Sequence, residues 1–294
     1  MQQSRSAGFN SPMSSVDQFA SVFNAATKTI FQHKPPVFNN ALTVTDLAKE
    51  AADKYTETSK SFFSSVKATW ESIGQEDFNS VKELLDIVEQ RKPDLIVTYR
   101  HLYSEAWRWP HSLGEHLDVL IQVTDPPVAI MPHPDREGIP EHAMKNTDNV
   151  IVINDHLTGE DCLINHAAYV TRPNGNLHLT HIENGSVFER YMEVISKIPE
   201  IDTDIARETI QAQLLNEPSA YIDSVEEALS KEIPDLQVIK HIAQGKQLDE
   251  YRKAVERHNA DLVVLQSHDP DQQAMNATAY SLAVELRTTP LLIV

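Results

Sequence analysis

The sequence predicts an α/β protein built of two tandem, doubly wound parallel-sheet domains, and three observations carry that reading. The closing stretch, residues 259–294, reads strand–loop–helix–strand. An apolar run (262–265) follows Asp261, then come a polar loop, an amphipathic helix from about Thr278 to Arg287, Pro290 and a second apolar run. Strands that are apolar throughout, joined by a helix, are what a parallel βαβ unit requires, because both faces of its strands are covered. The same text occurs earlier: Asp94-Leu95-Ile96-Val97 answers to Asp261-Leu262-Val263-Val264, and Pro127-Val128-Ala129-Ile130 to Pro290-Leu291-Leu292-Ile293. Finally, the second half reads β-α-β-α-β-α-β-α-β, an order that right-handed crossovers wind into one parallel sheet.

Taken in order, residues 1–15 are polar. Val16, Phe19, Val22, Phe23, Ala26 and Ile30 then recur at three and four, predicting one buried helical face that His33-Lys34-Pro35-Pro36 ends. A strand is expected over 41–45 and a helix over 47–64. Residues 66–73 read as a strand on their β-branched and aromatic members. A helix marked by Val81, Leu84, Leu85 and Val88 leads into a strand at 95–97. The first domain, 1–133, thus reads as the repeat unit lacking its first strand, with four parallel strands instead of five. Residues 134–148, rich in proline and charge and without periodicity, form the linker. The second domain, 149–294, begins with a strand at 150–153. There follow a helix at 160–170, a strand at 177–182, a helical region over 187–231 broken near Pro199 and Pro218, a strand at 236–242, a turn at Gly245 and a helix at 248–258. The last strands of the two halves, 128–131 and 291–294, are wholly apolar sheet edges, which invite pairing. The halves are therefore expected to meet there as an intrachain pseudo-dimer.

Composition narrows the function classes. A chain of 294 residues with 41% hydrophobic and 23% charged residues accommodates two globular cores. A net charge of −18 opposes nucleic acid or an anionic membrane face as partner. The lone Cys162 makes no intrachain disulfide, and the N-terminal residues lack the apolar core of a signal peptide. No run approaches the roughly 18 apolar residues that span a bilayer. A cytoplasmic protein is expected.

The blocks Ala260-Asp261-Leu262-Val263-Val264, Ala277-Thr278 and Pro290-Leu291-Leu292-Ile293-Val294, set among those elements, resemble the universal stress protein family. The resemblance covers nearly the whole chain apart from the first fifteen residues and the linker. It implies an adenine nucleotide alpha hydrolase-like fold in small cytoplasmic proteins, commonly dimeric or tandem, many of which bind ATP. It also implies that Asp155, the acidic residue after the first strand, faces a nucleoside.

In nucleotide-binding members the loop after the fourth strand carries two glycines and then a Gly-Ser or Gly-Thr. Backbone N–H groups must reach the phosphates there, and side chains would block them. This chain has eight glycines, none after Gly245. Gln266 and Asp269 stand where glycines are expected, Asp269 and Asp271 add negative charge, and Ala277-Thr278 keeps only the hydroxyl. If a nucleotide binds, ATP or another adenine nucleotide, its residues are Asp155, Ser267 and Thr278. The expectation is that no cofactor is held. The first half departs further, with Gly114-Glu115 at the Gly-Ser position and Tyr99, Tyr103, Trp107 and Trp109 in a longer loop. These aromatics either fill the empty groove as added core or form an exposed patch for a partner.

Thirteen histidines raise the question of a metal, yet the spacings give no ligand motif. His178 and His181 lie three apart on a strand and face opposite ways. His111 and His116 are five apart on an expected helix, and no Cys-x-x-Cys or His-Glu-x-x-His occurs. No metal site is expected. The contiguous Ser267-His268-Asp269 is no triad, since a triad needs convergence in space, and Cys162 reads as a core residue. Two functions remain. The favoured one is a non-enzymatic stress-response and regulatory binding module, acting through a protein partner or self-association. The alternative is a nucleotide-binding protein with an irregular phosphate loop in its second domain.

Overall fold

The computed structural model describes residues 29–294 except 110, 141, 143 and 267–275. Nine strands form one sheet: β1 Asn40–Val44, β2 Thr69–Ile73, β3 Leu95–Tyr99, β4 Val128–Met131, β5 Asn149–Ile153, β6 Asn176–Asn184, β7 Gln237–Gly245, β8 Leu262–Leu265 and β9 Leu291–Ile293. Their spatial order is β2-β1-β3-β4-β9-β8-β5-β6-β7. Every pairing is parallel except β4–β9, where Ala129 faces Leu292 in an antiparallel ladder. The second half therefore presents a complete five-stranded doubly wound sheet and the first a four-stranded one.

The strand missing from the first half is not the first. β1 lies inside the sheet, paired with β2 on one side and β3 on the other, just as β5 sits between β6 and β8. Among the described residues, what the first half lacks is an outer strand equivalent to β7. The sequence conceals this because a helical periodicity precedes β1, whereas residues 29–38 form an extended strap. Ile30, expected on a buried helical face, is 67% exposed; the rest of that expected helix, from Val16, lies outside the described residues.

The helices among the described residues are α1 Lys49–Phe62, α2 Val81–Arg91, α3 Glu115–Val123, α4 Asp161–Val170, α5 Gly185–Ile195, α6 Thr203–Glu232, α7 Gln247–Arg257 and α8 Ala277–Glu285. Two layers cover the sheet. Phe62, Leu163 and Tyr221 bring α1, α4 and α6 to one face, where Val97, Val152 and Val264 point. Leu84, Leu117, Tyr251 and Leu282 bring α2, α3, α7 and α8 to the other, with Ile96, Ile151 and Val263. Alternating strand residues enter opposite cores, as the two-residue period demands. Both cores run without interruption from one half to the other.

Helix ends follow local chemistry. Ser80 Oγ accepts the Glu83 N–H at 3.3 Å to start α2, Asn184 and Asp202 do the same for α5 and α6, and each satisfies amides that lack an intrahelical acceptor. The helical region breaks near Pro199 as expected but not at Pro218, which α6 runs straight through. An interior proline costs about 3 kcal/mol. Here Tyr221, Ile222, Val225 and Leu229, all buried just beyond it, offset that cost, since each fully buried apolar side chain contributes roughly 1.5–3 kcal/mol. Gly245 ends β7 rather than forming a turn, and His111 lies outside any helix. Among the described residues no helix is long and apolar enough to cross a membrane.

Candidate functional site

The doubly wound topology places ligand sites beyond the carboxyl ends of the strands, where the order reverses. In the second half that place lies between β5 and β8, and the sequence-predicted residues Asp155 and Thr278 meet there. Asp155 follows β5 by two positions and Thr278 opens α8. The Thr278 hydroxyl donates to Asp155 Oδ2 at 2.8 Å. Ser267, with Asp269 and Asp271, lies outside the described residues. Beside the pair, Asn154 Nδ2 donates to Gln266 Oε1 at 2.7 Å, and the Tyr251 hydroxyl, held above its usual range chiefly by burial, donates to the Asn154 carbonyl at 3.2 Å. Asn276 caps α8, its Oδ1 accepting the N–H of Thr278 at 2.8 Å and of Ala279 at 3.4 Å. Amides that would otherwise receive an anion are thus taken by the chain itself, and the nearest hydroxyl already serves a carboxylate.

The same place in the first half is closed by the aromatic loop. Asp46 follows β1 by two positions, as Asp155 follows β5. The Tyr99 hydroxyl donates to Asp46 Oδ1, and Oδ2 accepts the Tyr103 N–H at 2.7 Å. The Tyr103 hydroxyl reaches the Phe78 carbonyl at 2.6 Å, and the His133 ring packs edge-on against Tyr99, centroids 4.9 Å apart. Burial first, then the Asp46 contacts, push the Tyr99 phenol far up; burial and nearby carboxylates push Tyr103 up to about 12. The two aromatic readings divide between residues: Tyr99 is core, whereas Trp109 is 54% exposed. The side chain of Trp107 is not among those described.

Gly114 has a structural task in this loop. Its φ is +97°, and a Cβ there would lie 2.8 Å from His101 Cα and 2.9 Å from His101 N. Glycine lets the α3 N-terminus sit against the loop backbone, where His101 N–H donates to the Leu113 carbonyl at 2.9 Å. Substitution Gly114→Ala is expected to cost about 2–3 kcal/mol from the strained φ and the backbone clash. Urea denaturation measures it; an unchanged midpoint would remove this account of Gly114.

Sequence reasoning missed Asp46, because β1 was not recognised as a first strand, and it missed a histidine cluster. His178 on β6, His241 on β7 and His258 at the C-cap of α7 bring one ring nitrogen each to within 4.8 Å of one another. They stand 63 and 17 positions apart, so no linear spacing reveals them. Burial, then the neighbouring imidazoles, push His178 down to about 4 and lower His241 and His258 as well. His181, on the opposite face of β6, takes no part. Cys162, read as core, is exposed on α4, its Sγ 3.6 Å from His166 Nδ1.

No family model matches the chain, and no curated protein does. Among solved structures it is similar in fold to a universal stress protein from Archaeoglobus fulgidus, at 16% identity and a TM-score of 0.46, covering 87% of each chain. It is similar also to a functionally unknown protein from Pseudomonas aeruginosa, at 13% identity and 0.48, covering 87% of this chain and 92% of that one. A third, hypothetical protein MJ0577, matches at 14% and 0.40, covering 50% of this chain and 96% of its own. These likenesses are of fold alone, and the architecture rests on the strand order and register above.

Proposed function

We propose that the protein is a non-enzymatic stress-response and regulatory binding module of universal stress protein-like fold, without ATP-loop activity. In this reading residues 1–133 and 149–294 form an intrachain pseudo-dimer around the linker 134–148, working in the cytoplasm through a protein partner or self-association. The observation that carries it is the Thr278–Asp155 hydrogen bond at the mouth of β5, with Asn276 taking the α8 amides beside it. The stress-response part rests on the sequence resemblance. The loss of nucleotide binding rests on chemistry: the carboxylate after the first strand of each half is engaged by its own chain, Asp46 through both oxygens and Asp155 through Oδ2, and the α8 N-terminus is capped by Asn276 with no glycine beside it. A phosphate charge about 4 Å from a carboxylate costs about 4 kcal/mol at an effective dielectric near 20, roughly a thousandfold in affinity. A bridging magnesium ion offsets only part of that.

Calorimetric titration with ATP and magnesium tests this. No micromolar binding is expected in the full chain. Micromolar binding that disappears in Thr278→Ala would replace this reading with a nucleotide site in the second domain.

A further inference from the structure

We propose that His178, His241 and His258 form a binding site for a divalent transition-metal ion of the zinc class. The site lies away from the strand-end groove and uses none of its residues.

Three features of the fold build it. The parallel register of β6 and β7 sets His178 opposite Ile239 and His241 opposite Thr180. Both histidines therefore project from one face of adjacent strands. The face is the one α7 covers through Tyr251 and Val255. Because α7 runs back against the strands, its C-cap residue His258 comes down over the pair, ring centroids 4.6 Å from His178 and 4.4 Å from His241.

The donor set selects the ion. Imidazole nitrogens suit zinc, nickel, copper and cobalt, whereas calcium and magnesium require oxygen ligands, of which this cluster has none. His178 Nδ1 lies 3.0 Å from His241 Nε2, close to the edge of about 3.3 Å expected between ligands of a tetrahedral zinc with bonds near 2.05 Å. Full convergence asks only that His258, partly exposed at a helix end, move inward within the 4.8 Å span. The α7 C-terminus brings the negative end of the helix dipole to the site, which opposes the repulsion of the adjacent Arg257 cation.

In the metal-free chain one proton bridges His178 Nδ1 and His241 Nε2 at 3.0 Å, and a bound ion would take the place of that proton. Three protein ligands leave a fourth position for water.

The full chain, stripped with a chelator, is titrated with Zn2+ against a chromophoric competitor and separately with Co2+ while visible absorption is recorded. The expected result is one Zn2+ per chain with micromolar or tighter affinity, and intense cobalt bands of a four-coordinate site. His178→Ala should abolish binding. His258→Ala, at a partly exposed cap, should weaken it at least tenfold while the apo protein keeps its circular dichroism and melting temperature. Cys162→Ser, which removes the thiol of the Cys162–His166 pair, should leave affinity unchanged. The proposal is overturned by the absence of stoichiometric binding below 100 micromolar (a threshold of about 5.5 kcal/mol), by binding unchanged in His178→Ala or His258→Ala, or by binding lost in Cys162→Ser.

Discussion

Expressed alone, residues 1–133 are expected not to fold cooperatively, although their described part contains four strands and three α-helices. Removing the second half strips the β4 edge of its antiparallel partner β9 and leaves an apolar strand unpaired, a template for aggregation. It also strands the strap. Phe31 and Phe38, both 4% exposed in the whole chain, pack against Tyr221 and against His166 and Tyr169 of the second half. The strap backbone is tied there too. Phe31 N–H donates to Ser224 Oγ at 3.0 Å, and Lys34 N–H to Asn165 Oδ1 at 2.9 Å. The Asn165 amide in turn donates to the Gln32 carbonyl at 3.0 Å. Ser65 reaches the Val170 carbonyl at 3.0 Å. Exposing the two phenylalanines alone forfeits roughly 3–6 kcal/mol, and the four lost hydrogen bonds about 1 kcal/mol each. A typical domain has only 5–15 kcal/mol in total, so the isolated half has little or none left. Circular dichroism with urea denaturation and sedimentation decides the matter. A monomeric 1–133 fragment with one sharp transition would show that the halves are independent.

This interdependence marks where the sequence was legible and where it was not. Buried parallel strands announce themselves as continuous apolar runs, and β3, β4, β5, β8 and β9 were readable for that reason. The matched aspartates of the two halves, Asp94 and Asp261, do equivalent work. Asp94 Oδ2 accepts the N–H of Asn39 and Asn40 at 2.7 and 3.0 Å, while Asp261 Oδ2 accepts the N–H of Asn149 at 2.8 Å. Each aspartate thereby ties the start of its own strand to the start of the neighbouring one. The strap was not legible, because its two phenylalanines fall outside any period and find their partners more than a hundred residues away. Of the candidate site, Asp155 and Thr278 were reached through the resemblance, and their contact needed only the closing of the sheet. Asp46 was missed because β1 was not recognised as a first strand, and the three histidines because strand register and the path of α7 set their neighbours, which linear spacing does not encode. Pro218 misled because a local rule about helix interiors yields to tertiary burial when enough apolar surface lies on the next two turns.

The second large effect is expected at Arg100, which sits just beyond β3 and clasps the other half. It is 4% exposed, and its guanidinium donates to the carbonyls that end α8. Nε and Nη2 reach Ala283 O at 3.1 and 2.6 Å, and Nη2 reaches Leu286 O at 2.9 Å. A cation at a helix C-terminus is favoured by the dipole, and a planar fork suits two adjacent carbonyls better than a point charge does. Against this stands the burial of charge. Desolvation first, then Arg136 and Arg287, push Arg100 down to about 9, so it remains cationic at neutral pH but at a cost. Removing it leaves two carbonyl oxygens without their donor, about 1–3 kcal/mol each, while relieving part of the desolvation. The lost donors should win, because Ala283 is fully buried and its carbonyl loses both of its guanidinium donors at once. Arg100→Met, which keeps the apolar stem, is expected to destabilise the protein by about 2 kcal/mol. Arg100→Ala should cost about 4 kcal/mol, since a cavity is added to the same loss. Arg100→Lys should fall between the wild type and Met, retaining charge without the fork. Urea midpoints give the order, and faster hydrogen exchange confined to the last turn of α8 would locate the effect. A methionine variant as stable as the wild type would mean that desolvation cancels the clasp, and that β4–β9 pairing and the strap alone hold the halves together.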